Sequence, residues 1–220
     1  HITVLSQLKK LWSLLRTKGL WYCMNKLRKK TYSKLKFDDA LLPTIALPDI
    51  PETSDINYQK WLNQNYPNQP ALQKMGKTAK LLAYKPTISL IMPVFNTPVC
   101  FLRQAIESVL NQVYPYWELC IADDSSTDNY LREILEDYSS KDSRIKVVFR
   151  TENGHISRCS NSAIEIATGE FIALLDHDDL LTPDALYEIA VLLNKHPEAD
   201  MIYSDEDKID ENGKLRDPFF

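Results

Sequence analysis

Three carboxylates stand close together in Asp176-His177-Asp178-Asp179, directly after an apolar run. Mg²⁺ and Mn²⁺ are hard cations that take oxygen ligands, commonly one or two carboxylates together with phosphate oxygens of a substrate. The spacing therefore indicates a divalent-metal site, with Asp178 and Asp176 as candidate ligands. The alternative is that Asp179 only begins a loop and that the other acids are solvated. His177 lies between two better-placed acids, so we expect a structural or supporting role for it.

A second acidic stretch, Asp123-Asp124-Ser125-Ser126-Thr127-Asp128, follows another apolar run. One carboxylate of the leading pair can accept hydrogen bonds from a base or a ribose, and the other can cap a helix that begins near Asp128. Simple turn chemistry is the alternative. Phe95 offers an aromatic face to a base or belongs to the core, and Asn153-Gly154 either lets a ligand approach the backbone or forms only a turn.

These residues follow five apolar runs that we interpret as strands. The predicted strands are Ile88–Val94, Trp117–Asp123, Ile145–Phe149, 170–175 and 200–204, and their starts lie 25 to 30 residues apart. Helical patterns fill the intervals, so the sequence predicts an α/β fold with a mostly parallel, Rossmann-like sheet flanked by helices. Ligands of such sheets bind beyond the carboxyl ends of the strands. Four of the five predicted ends carry acids, which places the candidate site there.

Local signals refine these elements. Thr97-Pro98 and Thr182-Pro183 each predict a helix start with the proline at its first position. Gly169 is placed to end the third helix, and Glu211-Asn212-Gly213 predicts the tight turn of a hairpin.

The chain divides into three zones, 1–37, 38–85 and 86–220. The first has an apolar helical stripe and ten basic residues without an acid, so it suits an anionic membrane or packs on a partner or on its own domain. The second is a proline-rich connector in which 58–62 could form a short helix. The third holds the predicted sheet.

Charge and absent motifs exclude several classes. Beyond residue 36 the net charge is −14, which makes nucleic acid a poor partner and calls for a cation beside any phosphorylated ligand. The sequence has no glycine-rich phosphate loop, no signal peptide, no apolar run approaching about 18 residues and no cysteine pair with zinc spacing. We therefore expect a cytoplasmic protein, which under the membrane interpretation of the basic zone is peripheral on the inner face of the plasma membrane. Because it begins with His1, we expect residues to precede it.

Several motifs together resemble a known family. They are Ile88-Ser89-Leu90-Ile91-Met92-Pro93-Val94-Phe95-Asn96, Ser108-Val109-Leu110-Asn111-Gln112, Asp123-Asp124-Ser125-Ser126-Thr127-Asp128, Glu152-Asn153-Gly154 and Leu175-Asp176-His177-Asp178-Asp179. Their order and spacing are similar to those of the inverting family 2 glycosyltransferases with the A-type fold, over about residues 86–220. Tyr203-Ser204-Asp205-Glu206-Asp207-Lys208 resembles members that build bacterial surface polysaccharides such as O-antigen.

The resemblance implies transfer of a sugar from a UDP- or dTDP-sugar to a glycan or lipid-linked acceptor, with Mg²⁺ or Mn²⁺. By position, Pro93 and Phe95 would line the base pocket, and Asp124, with Asp123 beside it, would contact the base. Asp176 would lie near the ribose and Asp178 would bind the metal. Asn153 and Gly154 would complete the donor site. Family members place the catalytic base further along than Phe220, so we expect the chain to be truncated before it and the base and most of the acceptor site to be absent.

Three alternatives compete with this reading. A phosphohydrolase would attack with the first Asp of such a motif, but Leu180 stands where that class usually has Thr or Val. A sugar nucleotidyltransferase would need a glycine-rich loop after the first strand. A non-catalytic scaffold or nucleotide-sugar-binding module of an assembly complex is the third, and a donor-binding test separates it from the enzyme.

Overall fold

The computed structural model describes residues 55–210 and 213–219. The basic zone 1–37 and the first part of the predicted connector lie outside these residues. Within the described part, no helix is both long and apolar enough to cross a membrane.

Four parallel strands form the central sheet. They are β1 (Ile88–Val94), β2 (Trp117–Asp123), β3 (Ile145–Phe149) and β4 (Phe171–Leu174), in the order β3-β2-β1-β4. Every residue of β1 and β2 is buried, which explains why their sequences are mostly apolar without a regular alternation of apolar and polar residues. The predicted α/β fold is confirmed: β1 to β3 have the predicted bounds, and β4 is one residue shorter at each end.

A helix follows each of these strands. The four are α3 (Val99–Leu110), α4 (Asn129–Lys141), α5 (His155–Glu165) and α6 (Ala185–Lys195). The larger core joins strand residues such as Leu90 and Leu119 to α3, α4 and α6. A smaller cluster joins Ile91 and Cys120 to Cys159 of α5. Helices therefore cover both faces of the sheet, and each fully buried aliphatic side chain contributes about 1.5–3 kcal/mol.

Two further helices lie in the predicted connector, α1 (Asp55–Asn65) and α2 (Gln69–Ala79). The predicted short helix at 58–62 is confirmed inside α1. The prolines around α2 do not prevent it, because Pro70 occupies its first turn, where no intrahelical N–H is needed. Asn68 caps α2, its Oδ1 accepting from the Ala71 N–H at 3.0 Å.

The predicted fifth strand is wrong. Residues 200–205 have no helix or strand, and the side chains of Met201 and Tyr203 are 75% and 90% exposed. No strand among the described residues pairs with this run, and an apolar run cannot form a strand without a partner backbone. The chain instead forms a separate antiparallel hairpin of β5 (Glu206–Ile209) and β6 (Leu215–Phe219). Its turn contains Gly213 at φ +77, so the predicted hairpin is confirmed.

Three helix boundaries differ from the prediction. Helix α3 begins after Pro98 rather than at it, and α6 begins at Ala185 with Asp184 at its N-cap. Helix α5 ends at Glu165, so Gly169 does not end it. Gly169 is instead required by close packing, because a Cβ there would lie 2.5 Å from the Thr87 carbonyl oxygen.

Candidate functional site

The order of the strands identifies one edge of the sheet, named the crevice here, as the expected place of a ligand. Successive strands run from β1 through β2 to β3 on one side, whereas β4 lies on the other side of β1. Such a reversal separates the connections that leave the carboxyl ends of β1 and β4, and ligands of open α/β sheets bind there. Val94 and Asp123 are in register. The residues that end or follow β1, β2 and β4 therefore lie around a common edge.

Unpartnered polar atoms gather at this edge. In the described part of the chain, four buried side-chain atoms lack a hydrogen-bond partner, namely Thr97 Oγ1, Trp117 Nε1, Asp123 Oδ1 and His177 Nδ1. Three of the four end or follow the adjacent strands β2, β1 and β4, and Trp117 stands at the opposite edge. An unsatisfied buried polar group costs about 1–3 kcal/mol. Their accumulation beside the crevice is therefore evidence for a site that a polar ligand completes.

Strained backbone marks the same edge. Asn96, Ser125 and His155, which follow β1, β2 and β3, have φ values of 49, 63 and 58. Non-glycine residues adopt this left-handed region uncommonly, and such strain clusters at functional sites. The loops after β1 and β2 are also tied together. The Asn96 N–H donates to Ser126 Oγ at 3.0 Å, and Asn96 Oδ1 accepts from the Thr127 N–H at 2.9 Å.

The two candidate base-pocket residues of β1 have different environments. Pro93 is buried within the strand, whereas the Phe95 side chain is 44% exposed just beyond its end. Phe95 is therefore not a core residue, and its place in a base pocket stays a prediction. The neighbouring Asn96, held by the 125–127 loop, fixes the backbone from which Phe95 extends.

Asp124 is buried, with 2% exposure, and is occupied by two donors. Arg150 Nε donates to Oδ1 at 2.7 Å, and the Gly154 N–H donates to both carboxylate oxygens at 3.0 Å. Asp124 thereby caps α5 rather than the helix near Asp128. Asp128 caps its own helix through the Tyr130 N–H at 2.9 Å. The prediction that one acid of the 123–124 pair caps the helix near Asp128 is therefore wrong, because Asp124 binds the N-terminus of α5 instead.

Asp123 and the 153–154 turn complete this side of the edge. Asp123 Oδ2 accepts from the Ser126 N–H at 3.1 Å, and its Oδ1 has no partner. Asn153 Nδ2 lies 3.4 Å from the Asp124 carbonyl oxygen. Gly154 does permit a close approach, but by a side chain: a Cβ there would lie 2.7 Å from Arg150 Nη2.

The acidic motif after β4 is exposed and crowded. Asp176 is exposed, the Asp178 side chain is 58% exposed, and His177 Nδ1 lies 3.7 Å from Asp178 Oδ1. Although Asp179 is exposed, partial desolvation of its carboxyl group raises its pKa, and so does repulsion from Asp176, Asp178 and Glu206. The cluster therefore holds negative charge that a cation would relieve.

The motif fits a sparsely ligated cation. Among the residues that the structure describes, no three His, Cys, Asp or Glu side chains converge to hold a metal ion. Mg²⁺ in nucleotide sites needs only one or two carboxylates, because substrate phosphates and water supply the remaining oxygens. Asp176 and Asp178 supply donors of that kind.

Sequence reasoning missed one member of this edge. Arg150, directly after β3, holds Asp124. A basic residue at the carboxyl end of the strand next to β2 was the available signal for it. Glu206 was expected among the acids that follow a fifth strand, and it contributes to the charge around Asp179 from the hairpin instead.

A parallel sheet that helices cover on both faces, with a strand reversal at its carboxyl edge, defines an open α/β protein whose ligands bind at that edge. The chain belongs to glycosyl transferase family 2, whose family model matches residues 89–218. The sheet and its flanking helices are accordingly those of the A-type glycosyltransferase fold.

The relatives include larger proteins. The uncharacterized protein y4gI of Sinorhizobium fredii is 50% identical over 147 residues, which are 67% of this chain and 16% of that protein. The O-antigen biosynthesis protein RfbC of Myxococcus xanthus is 34% identical over 175 residues, 80% of this chain and 13% of that protein. The chain thus spans less than a fifth of either relative. A crystal structure of S. aureus TarS 1–349 is 30% identical with a TM-score of 0.47, covering 50% of this chain and 33% of that one.

Proposed function

We propose that this chain holds the donor site of a glycosyltransferase of bacterial surface-polysaccharide synthesis. The enzyme transfers a sugar, with inversion, from a UDP- or dTDP-sugar to a glycan or lipid-linked acceptor. The observation that carries the proposal is the set of unpartnered atoms on Thr97, Asp123 and His177 around one crevice, in a chain that belongs to family 2. A nucleotide sugar presents both hydrogen-bond donors and acceptors to such atoms.

The base half of the donor binds beside β1 and β2. The exposed face of Phe95 stacks on the base, and Asp124 accepts a base N–H. The carboxylate has capacity for that bond, since it offers about four lone-pair sites and only two donors, Arg150 and Gly154, use it here. Pro93, Asp123, Asn153 and Gly154 form the surrounding wall.

The diphosphate half binds beside β4. Asp178 and Asp176 would hold Mg²⁺ or Mn²⁺, which neutralises charge that develops on the departing diphosphate. The need for a cation follows from the acidic surroundings, because the chain beyond residue 36 has a net charge of −14. Asp176 also lies nearest to the ribose in this arrangement.

No residue of the chain is assigned as the catalytic base. Asp207 is engaged by the Tyr58 hydroxyl, which donates to its Oδ2, and Asp205 is an exposed residue of the 200–205 segment. If the site binds donor but supports no transfer in the complete protein, the chain is a nucleotide-sugar-binding scaffold instead.

A matched pair of substitutions tests the metal site. We expect Asp178→Asn to weaken Mn²⁺-dependent UDP binding by roughly tenfold or more, since removing even supporting groups of metal sites costs 10–100-fold. Asp137→Asn is the control, because Asp137 is an exposed acid of α4 paired with Lys141 at 2.6 Å, away from the crevice. Equal UDP affinities for the two variants and the unmodified protein would remove Asp178 from the site.

A further inference from the structure

Arg150 connects three elements at the base side of the crevice. Its Nε donates to Asp124 Oδ1 at 2.7 Å, and its Nη1 donates to Ser162 Oγ of α5 at 2.6 Å. Its backbone N–H donates to the Asp123 carbonyl oxygen at 2.9 Å. One residue thus joins the carboxyl ends of β2 and β3 to α5.

The ion pair at the centre of this network is largely removed from water. The Arg150 side chain is 16% exposed and that of Asp124 2%. A buried carboxylate is costly without a charged partner, and removing one partner of such a pair is more damaging than removing an exposed pair. The orientation of the Asp124 carboxylate is therefore determined by Arg150 together with the Gly154 N–H.

We propose that Arg150 is a positioning residue that sets base selectivity, by holding Asp124 as a fixed hydrogen-bond acceptor in the base pocket. The inference rests on the proposed donor site. A carboxylate paired with a guanidinium only accepts hydrogen bonds, so the pocket selects a base whose pairing edge presents a ring N–H. Uracil, thymine and guanine present one, whereas the corresponding ring nitrogen of cytosine carries a lone pair.

The same strand supplies a matched control. Arg144, directly before β3, forms a forked pair with Asp142, in which Nη2 lies 2.6 Å from Oδ2, and its guanidinium covers the Trp117 ring at 3.7 Å. Arg144 and Arg150 therefore each form a partly buried pair with an Asp, and the two pairs lie at opposite ends of β3. Only Arg150 lies at the carboxyl edge of the sheet, so loss of Arg144 reports the structural cost of losing such a pair.

The experiment is calorimetric titration of the full chain with UDP and with CDP, both in Mn²⁺. It compares the unmodified protein with Arg150→Gln, Arg150→Lys and Arg144→Gln, and far-ultraviolet circular dichroism checks folding. The quantity measured is the ratio of the two affinities. We expect the unmodified protein to prefer UDP by about tenfold or more, because a site built to bond an N–H rejects a ligand that lacks it.

Arg150→Gln is expected to reduce this preference by about fivefold or more, mainly through weaker UDP binding, and Arg150→Lys to reduce it less. Arg144→Gln should leave the ratio unchanged. If Arg150→Gln does not fold, Arg150→Lys alone decides. An equal loss for both nucleotides in the folded Arg150 variants would show a merely structural role and overturn the inference. Failure of the unmodified protein to bind any nucleotide would instead overturn the donor site itself.

Discussion

Acidic residues at the two edges of the sheet have pKa values that are shifted in opposite directions. Glu118, near the amino end of β2, is 6% exposed and accepts from Lys146 Nζ at 2.7 Å, Ser89 Oγ at 2.7 Å and Thr168 Oγ1 at 2.8 Å. Burial acts to raise its pKa, but these hydrogen bonds together outweigh burial and lower the pKa to about 2. At the carboxyl edge the pKa of Asp179 is raised instead. A satisfied acid thus supports the fold, whereas the crowded acids mark the site.

Glu118→Gln is predicted to destabilise the protein by about 3 kcal/mol near neutral pH, because it removes the charge that Lys146 and its neighbours satisfy. The pKa of Glu118 is lowered on folding from 4.5 to about 2. Its contribution is therefore present above the unfolded value and is lost as the pH falls through that interval. Urea unfolding at several pH values measures this. Glu136→Gln, an exposed residue of α4 paired with Arg132, is the control. Equal pH dependence in all three proteins would contradict the prediction.

The sequence located most of the acids of the site but not their partners. Asp124 and Asp178 were recognisable because each follows a continuous apolar run. The contact between Arg150 and Asp124 joins residues 26 positions apart and depends on β2 and β3 being neighbours. A single basic residue carries no periodicity from which that pairing could be read.

The position of β4 in the sheet depends on how closely the loops at the amino edge of the sheet pack. Gly169 precedes β4, and its N–H donates to Ser89 Oγ at 2.9 Å and to Glu118 Oε1 at 3.1 Å. Its Cα also lies against the Thr87 carbonyl group. This contact fixes where β4 begins beside β1 and therefore where the acidic motif leaves the sheet.

Gly169→Ala is predicted to destabilise the protein by about 2–4 kcal/mol, because the added methyl group would overlap backbone at 2.5 Å and cannot be relieved by a side-chain movement. Gly76→Ala is the matched control. In α2 the same methyl group would meet the Val113 carbonyl oxygen at an ordinary 3.6 Å. We expect that substitution to stabilise by about 0.5–1 kcal/mol through helix propensity. Thermal unfolding distinguishes the two, and equal shifts would refute the packing explanation.

The elements predicted well are those whose own residue pattern matches their burial in the fold. β1 and β2 are buried on both faces, so their mostly apolar sequences identify them with their bounds. The 200–204 run is also rich in apolar residues but has no neighbouring strand in the described part, and sheet pairing is not a local property. Helix α2 is not predicted because prolines usually interrupt helices, although Pro70 lies in its first turn, where it is tolerated.

Charge is divided unevenly over the whole chain. Residues 1–36 hold ten basic residues and no acid, whereas the remainder has a net charge of −14. We propose that the basic segment contacts an anionic membrane on its cytoplasmic side, where polysaccharide acceptors linked to lipid would be reached.

Sedimentation with lipid vesicles tests the proposed contact between residues 1–36 and an anionic membrane. The complete chain is predicted to bind vesicles of anionic lipid and to be released at high salt, since each basic residue near the surface contributes about 1 kcal/mol and salt screens it. Vesicles of neutral lipid are the control. A chain that lacks residues 1–36 and still binds anionic vesicles would refute the proposal.

The proposed metal-assisted donor site is tested most directly by calorimetric titration of the chain with UDP, dTDP and GDP, each in Mn²⁺ and in EDTA. The proposal predicts that one nucleotide binds in Mn²⁺ and that its binding disappears in EDTA, because Asp178 and Asp176 would contact the diphosphate only through a cation. Binding of that nucleotide would also name the donor class. If no nucleotide binds under either condition, or if binding is the same in EDTA, the chain has no metal-assisted donor site at this crevice.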